Sequence, residues 1–449
     1  MFNKLEKVLM PLADKIGRNS YLVAIRDGFL VASPLMIVSS FFLLFANFPI
    51  TGWTEFWAGI LGENWTFYAE IPTQATTNLV AIFSVMGIGY SFAKEKNVHA
   101  IGGAASALVA FFILTPFTIA YTPKGMDVVY NVSGLPMKWI GSSGLFIGMI
   151  ASFVAVLIFK FVYDKGWTIK LPPQVPPTVS QSFSSLIPSA FVIVIFLIIR
   201  ILFAITPFET AHNFIFTFLQ TPLVSLGNTL GAMIIAYLFL HFFWFFGVNG
   251  SSVVGAVYNP VLSVLTLENR DAYMSHKELP NIINGSFQDL FATFGGAGST
   301  LSLLIAMFFF CKSRRIKELG KLSIIPGIFG INEPIIFGLP VVLNPVILIP
   351  FVLVPTINII ITYFCMVWGL VPYCNGVSIP WTTPVIISGF LSTGWTGSVL
   401  QAILLALGVV IYYPFIKSMD KQYLLEEQSG TDEEDEDDFS LDDLSFDDL

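Results

Sequence analysis

An all-α integral membrane protein of about ten transmembrane helices, with re-entrant hairpins and an N-terminal amphipathic helix, is the architecture this sequence predicts. Three observations predict it. Hydrophobic residues make up 55% of the chain and charged residues 12%, against about 25% charged in a soluble domain. Apolar runs of about 20 residues, the length of a helix crossing a hydrocarbon core about 30 Å thick, recur along the sequence. Lys and Arg gather at the ends of those runs, the pattern of loops on the cytoplasmic side.

In chain order, residues 1–20 come first. Phe2, Leu5, Leu9, Leu12 and Ile16 keep helical spacing with Lys4, Lys7, Lys15 and Arg18 between them, so this segment reads as an amphipathic helix lying on the cytoplasmic face and not as a cleavable signal. The spans Gly28–Phe48, Thr77–Ala93 and Ile101–Ala120 follow, the last two joined by the basic turn Lys94-Glu95-Lys96. A polar loop over Tyr121–Lys138 leads to the span Gly144–Phe161, which returns to Lys160, Lys165 and Lys170.

Residues 171–184 form a proline-rich connector, part of KLPPQVPPTVSQSFS, whose four prolines rule out a helix interior and predict extended chain between two halves, 21–170 and 185–420. Beyond it lie spans at Leu186–Ile205 and Leu226–Phe246, then Ser252–Leu267, Phe291–Phe310, Leu343–Leu370 and Leu400–Phe415. Ile324–Pro340 and Val377–Gly394 are interrupted by Pro, Gly and Asn. Non-helical backbone survives at membrane depth only where protein or a watery cavity satisfies its N–H and C=O groups, so these two segments predict re-entrant hairpins around a solute cavity. Residues 421–449 read as an acidic disordered tail, with TDEEDEDDFSLDDLSFDDL carrying most of the acid behind the net charge of −8.

Glu333 is the sharpest chemical signal. It lies in GINEPIIFG, an acid in an otherwise apolar stretch, and a carboxylate at a helix centre costs about 2.5–3.5 kcal/mol on insertion scales, which predicts a partner or a wet cavity around it. Pro334 biases the residue before it away from helix, as at a hairpin tip. His241, in the sixth span, has three readings: a hydrogen-bonding ligand, a partner of Glu333, or a packed and satisfied histidine. Trp381, in SIPWTTP, offers an indole face for stacking on a sugar ring with Thr382 and Thr383 beside it, or else belongs to the interfacial aromatic belt. Asn284, Gln288 and Asp289 line a pocket or, with Asn284 as cap, begin a helix. Arg200 reads as structural, and the NGS triplets at Asn249 and Asn284 as turn chemistry. Cys311, Cys365 and Cys374 lack disulfide or zinc spacing. No metal, cofactor or nucleic-acid partner is expected.

These motifs resemble those of a known family. AIRDGFLVASPLMIVSSFF, LPPQVPPTVSQSFSSLIP, FFWFFGVNGSS and above all GIFGINEPIIFGLPVVLNP are similar to Enzyme IIC of the bacterial phosphotransferase system, in its lactose, cellobiose and diacetylchitobiose branch. The resemblance implies a homodimer in the bacterial plasma membrane with both termini cytoplasmic, its N-terminal half making the dimer and its C-terminal half enclosing one β-linked disaccharide. It implies that Glu333 and His241 bind sugar hydroxyls, with Asn332 and Trp381 beside them and Glu333 as the catalytic group. It further implies a soluble IIB partner, phosphorylated through IIA, that transfers its phosphoryl group to the bound sugar. The alternative reading is an ion-coupled secondary sugar transporter, which a dependence on an ion gradient distinguishes.

Overall fold

The computed structural model describes residues 18–46, 48, 52–123, 128–339, 341 and 344–430. The expected amphipathic helix, apart from its last residues, and residues 431–449 lie outside them. Among the described residues, eight helical stretches are long and apolar enough to cross a bilayer, nine with the pair 211–227 and 230–245, which is bent by 80° at its break.

The N-terminal half is a bundle of α1 (Ser20–Ala46), α4 (Val80–Glu95), α5 (Ala100–Leu114), α7 (Leu145–Asp164) and α9 (Leu186–Ala204). Lipid tails are as apolar as leucine, so membrane helices associate through close backbone approach at small residues. That is how α1 meets α4: a Cβ on Gly28 would stand 2.2 Å from Cγ1 of Ile88, and one on Gly87 would stand 2.7 Å from the Gly28 carbonyl oxygen. Arg200 of α9 donates to the carbonyls of Ile113 and Thr115 where α5 ends, so it caps a helix C-terminus and is structural, as its sequence context suggested.

Several segments depart from the expected layout. Two helices, α2 (Trp53–Leu61) and α3 (Trp65–Ala75), fill the stretch between the first two spans, and α3 extends the second span backwards. The polar loop contains an antiparallel hairpin, β1 (Thr118–Tyr121) and β2 (Tyr130–Ser133), pairing Thr118 with Ser133; α6 (Met137–Ile140) follows. The proline connector is irregular only up to Pro176, because Pro177 stands at the first position of α8 (Pro177–Ser184), where a missing N–H costs nothing.

In the C-terminal half a lateral arm, α10 (Ala211–Ile215) and α11 (Thr221–Gly227) around a π-helical turn, bends into α12 (Leu230–Phe245), and α13 (Gly250–Met274) returns. The span expected at 291–310 is broken: α14 (Gly285–Phe287) and a π-helical turn (Gln288–Ala292) give way to a glycine-rich turn, and α15 (Thr300–Phe310) starts afterwards. The hairpin at 324–340 is mostly helical, with α16 (Arg314–Ile328) and α17 (Glu333–Gly338) on either side of a turn. After α18 (Pro345–Val367) the chain is irregular to residue 386, and α19 (Ile387–Thr393) and α20 (Trp395–Gly430) complete the half. Residues 421–430, assigned to the tail from sequence, continue α20 as helix.

Candidate functional site

Three interrupted segments converge in the C-terminal half, and glycine decides how closely. In FGGAGS, Gly295, Gly296 and Gly298 have φ of 74°, 91° and 77°, a region open to glycine at little cost. A Cβ on Gly298 would lie 2.1 Å from the Phe351 ring, and one on Gly296 would lie 2.6 Å from Cγ of Asn332. Asn332 donates from Nδ2 to the Ala297 carbonyl at 2.8 Å, so the turn before Glu333 is tied to the glycine turn. Gly330, with φ of 84°, lies against Trp381: a Cβ there would meet the indole at 2.9 Å. The second irregular segment therefore closes on the first.

Between them is a cleft lined by Asp289, Thr293, Gly295, Gly330, Trp381 and Thr383, among others, with about 250 Å³ of empty space including its open mouth. Trp381 is 56% exposed. Glu333 occupies the first position of α17, three residues beyond Gly330. It is exposed, with no hydrogen-bond or ion-pair partner among the described residues. Asp289 is likewise exposed and part of the cleft wall. Asp289 therefore takes the pocket-lining place that was one of its two sequence readings. Thr382 is half-buried beside Trp381.

His241 does not pair with Glu333. Its Nδ1 lies 2.7 Å from the Tyr237 carbonyl, which only accepts, so Nδ1 carries the proton. Its Nε2 accepts the Gly298 N–H at 2.9 Å. Both nitrogens of this fully buried ring are spent, and they fix one neutral tautomer. Its place here is to hold the glycine turn. Asn284 is also fully buried; it caps α14 by accepting the Phe287 N–H at 2.9 Å, while its amide reaches the Cys374 carbonyl at 3.5 Å. Gln288 is half-buried and directs Nε2 toward Asn259 and Asp289 at 3.5 and 3.4 Å. Both NGS triplets prove to be helix caps, for Asn249 accepts the Ser252 N–H at 2.9 Å in the same way.

Two buried residues that the sequence did not single out complete the frame. Tyr412 donates to the Gly298 carbonyl at 2.6 Å, opposite His241. Gln401 accepts the N–H groups of Ile386 and Gly389 and donates to the Leu290 carbonyl at 2.6 Å, joining the second irregular segment to the π-helical turn. One signal for Gln401 was available in sequence: an amide inside an apolar span needs partners. No group of side chains among the described residues is arranged to hold a metal ion.

Residues 26–355 match the family described as Phosphotransferase system, EIIC. The chain belongs to that family. The cellobiose-specific EIIC component of Geobacillus stearothermophilus is 42% identical over 95% of each chain. The solved structure of the transporter ChbC, the IIC component of an N,N'-diacetylchitobiose-specific phosphotransferase system, superposes with a TM-score of 0.92 at 41% identity, covering 94% of this chain and 99% of that one. A lactose-specific EIICB component of Streptococcus mutans is 33% identical over 94% of this chain and 72% of its own length. This EIIC chain is accordingly a multi-pass membrane protein, the sugar permease component of a phosphotransferase system that works with a IIB component.

Proposed function

We propose that this EIIC protein carries a β-linked disaccharide of the cellobiose, diacetylchitobiose or lactose type and presents it in the cleft to a phosphorylated IIB partner, itself charged through IIA. The observation that carries this reading is the convergence of Trp381 and Asp289 on one cleft between two glycine turns, with Glu333 three residues along the chain from Gly330 in the cleft wall. Indole faces stack on pyranose rings, and carboxylates accept sugar hydroxyls, so the cleft holds the right chemistry for a neutral, hydroxyl-rich solute.

In the reaction the attacking sugar oxygen forms a bond to phosphorus, the bond from phosphorus to the carrier sulfur breaks, and the sulfur leaves as thiolate. Glu333 orients the hydroxyl and takes its proton, which is general-base work by an acid free of other partners. Asp289 orders a second hydroxyl, Thr382 and Gln288 add hydroxyl and amide contacts at the rim, and His241, Asn332 and Asn284 keep the loops in register. The product is trapped by its charge.

The nine candidate spans among the described residues, together with the shorter apolar helix Ala100–Leu114, support ten crossings with both termini on one side, and the basic ends of the spans favour the cytoplasm for that side. The N-terminal half, whose α9 face is largely unburied, supports a homodimer.

The test is sugar counterflow in liposomes of the purified chain with cellobiose, diacetylchitobiose, lactose and maltose, without an ion gradient and without IIB. Exchange of one β-linked disaccharide, lost in Glu333→Gln, is expected. Exchange that starts only when a proton or sodium gradient is imposed would overturn the reading in favour of an ion-coupled carrier.

A further inference from the structure

At the end of the bundle where α15, α16 and α20 meet, carboxylates are spent on backbone while cations are left over. Asp420 accepts the N–H groups of Lys312 and Ser313, both at 2.8 Å, and pairs with Lys417. Glu427 accepts the N–H groups of Arg314 and Arg315 at 3.2 and 3.1 Å, and Glu318 pairs with Lys321. None of the ion pairs among the described residues uses the exposed side chains of Lys312, Arg314, Arg315 and Lys317; Glu318 feels Arg314 at longer range, and Arg315 lies over the Tyr423 ring.

The same contacts locate the end of α20. Glu427 binds the first turn of α16, and the chain continues past Gly430 into residues 431–449, which hold eleven Asp and Glu and no Lys, Arg or His. The most acidic stretch of the protein therefore begins at Asp432, five residues beyond the Glu427 that binds this basic patch. We propose that residues 431–449 dock on the cationic face formed by Lys312, Arg314, Arg315 and Lys317. Tethering supports this choice of occupant: a segment joined by a few residues has an effective concentration in the millimolar range, and screening is weak within about 8–10 Å. Three of these cations, Arg314, Arg315 and Lys317, stand on α16, which leads into the Gly330 turn of the cleft. The proposal stands independently of which sugar the cleft holds.

Carbodiimide coupling, which joins a carboxylate to a lysine amine only when the two are in contact, tests it on the full chain in phosphatidylcholine nanodiscs. Links from Lys312 and Lys317 to carboxylates of 432–448 are expected at low ionic strength, falling several-fold at about 0.5 M salt. They should fall likewise when Arg314→Gln and Arg315→Gln are combined, with both lysines retained. In a chain ending at Gly430, which leaves every cation in place, Lys312 and Lys317 should acylate several-fold faster while Lys165 is unchanged. Absent links, links spread equally over Lys94, Lys96 and Lys165, or unchanged acylation on truncation would overturn the proposal. Links that vanish when anionic phosphatidylglycerol is added at the same ionic strength would overturn it too, assigning the face to lipid.

Discussion

Gly298 is gripped from both sides: His241 takes its N–H, Tyr412 donates to its carbonyl, and the Phe351 ring fills the space where a Cβ would go. Each grip yields an expectation. Tyr412→Phe orphans a buried carbonyl, a cost of about 1–3 kcal/mol, without removing the ring that fills the core. It should lower the melting temperature in detergent and weaken disaccharide binding about tenfold by calorimetry. A melting temperature that falls while affinity holds would show that the glycine turn does not set the cleft. His241→Ala should have the larger effect, because it unpairs the Gly298 N–H and opens a cavity as well. At this scale the sequence was partly legible. An acid, a histidine and a tryptophan stand out in an apolar chain because each is costly there. Whether each faces solute or backbone depends on atoms that no spacing reveals: His241 lies 57 residues from its Gly298 partner.

Turns, not helices, set the geometry of the site. Gly330 and Gly369 both have positive φ, 84° and 71°, but a Cβ on Gly330 meets Trp381 whereas one on Gly369 meets nothing within 4 Å. Ala at either site adds backbone strain of about 1–3 kcal/mol. Gly330→Ala should also push the indole away and weaken sugar binding about tenfold, whereas Gly369→Ala should leave affinity within about twofold, as calorimetry on the pair would decide. The second irregular segment contains a strained residue of its own. Ile386, β-branched, adopts φ of 79°, held by Gln401 on its N–H and by Ser398 on its carbonyl at 2.6 Å. Gln401→Met keeps the volume and deletes the bonds. It should destabilise by about 1–3 kcal/mol for each orphaned group and speed amide exchange at Ile386 and Gly389 above the rest of the half. The proline and glycine interruptions at 324–340 and 377–394 were readable as breaks because both residues disfavour a helix interior. The break inside 291–310 was read through, since Gly, Ala and Ser are common in membrane helices and local composition does not separate a tolerated glycine from a turn.

The cleft as a whole is closed down. Its interior has room for little more than a single water molecule, so a disaccharide must part the segments that line it. Saturating sugar should therefore change hydrogen exchange at 293–300, 328–332 and 380–388 together, with the N-terminal bundle unchanged; changes confined to one segment would mean that the sugar binds at the rim. In the N-terminal half α1 and α4 are locked through Gly28 and Gly87, where a side chain would meet Ile88 and the Gly28 backbone respectively. By itself the sequence determined that this protein lives in a bilayer, roughly where it crosses, two of the three places where its membrane segments break, and to which family it belongs. Those follow from hydrophobic length, charge at span ends and the geometry of Pro and Gly, all of which are local. Only the tertiary structure decided that Asp289 shares the cleft, that His241 is a strut and that Gln401 and Tyr412 complete the frame. Those depend on hydrogen bonds between residues up to 114 positions apart, and a buried polar atom takes its role from the partner it finds.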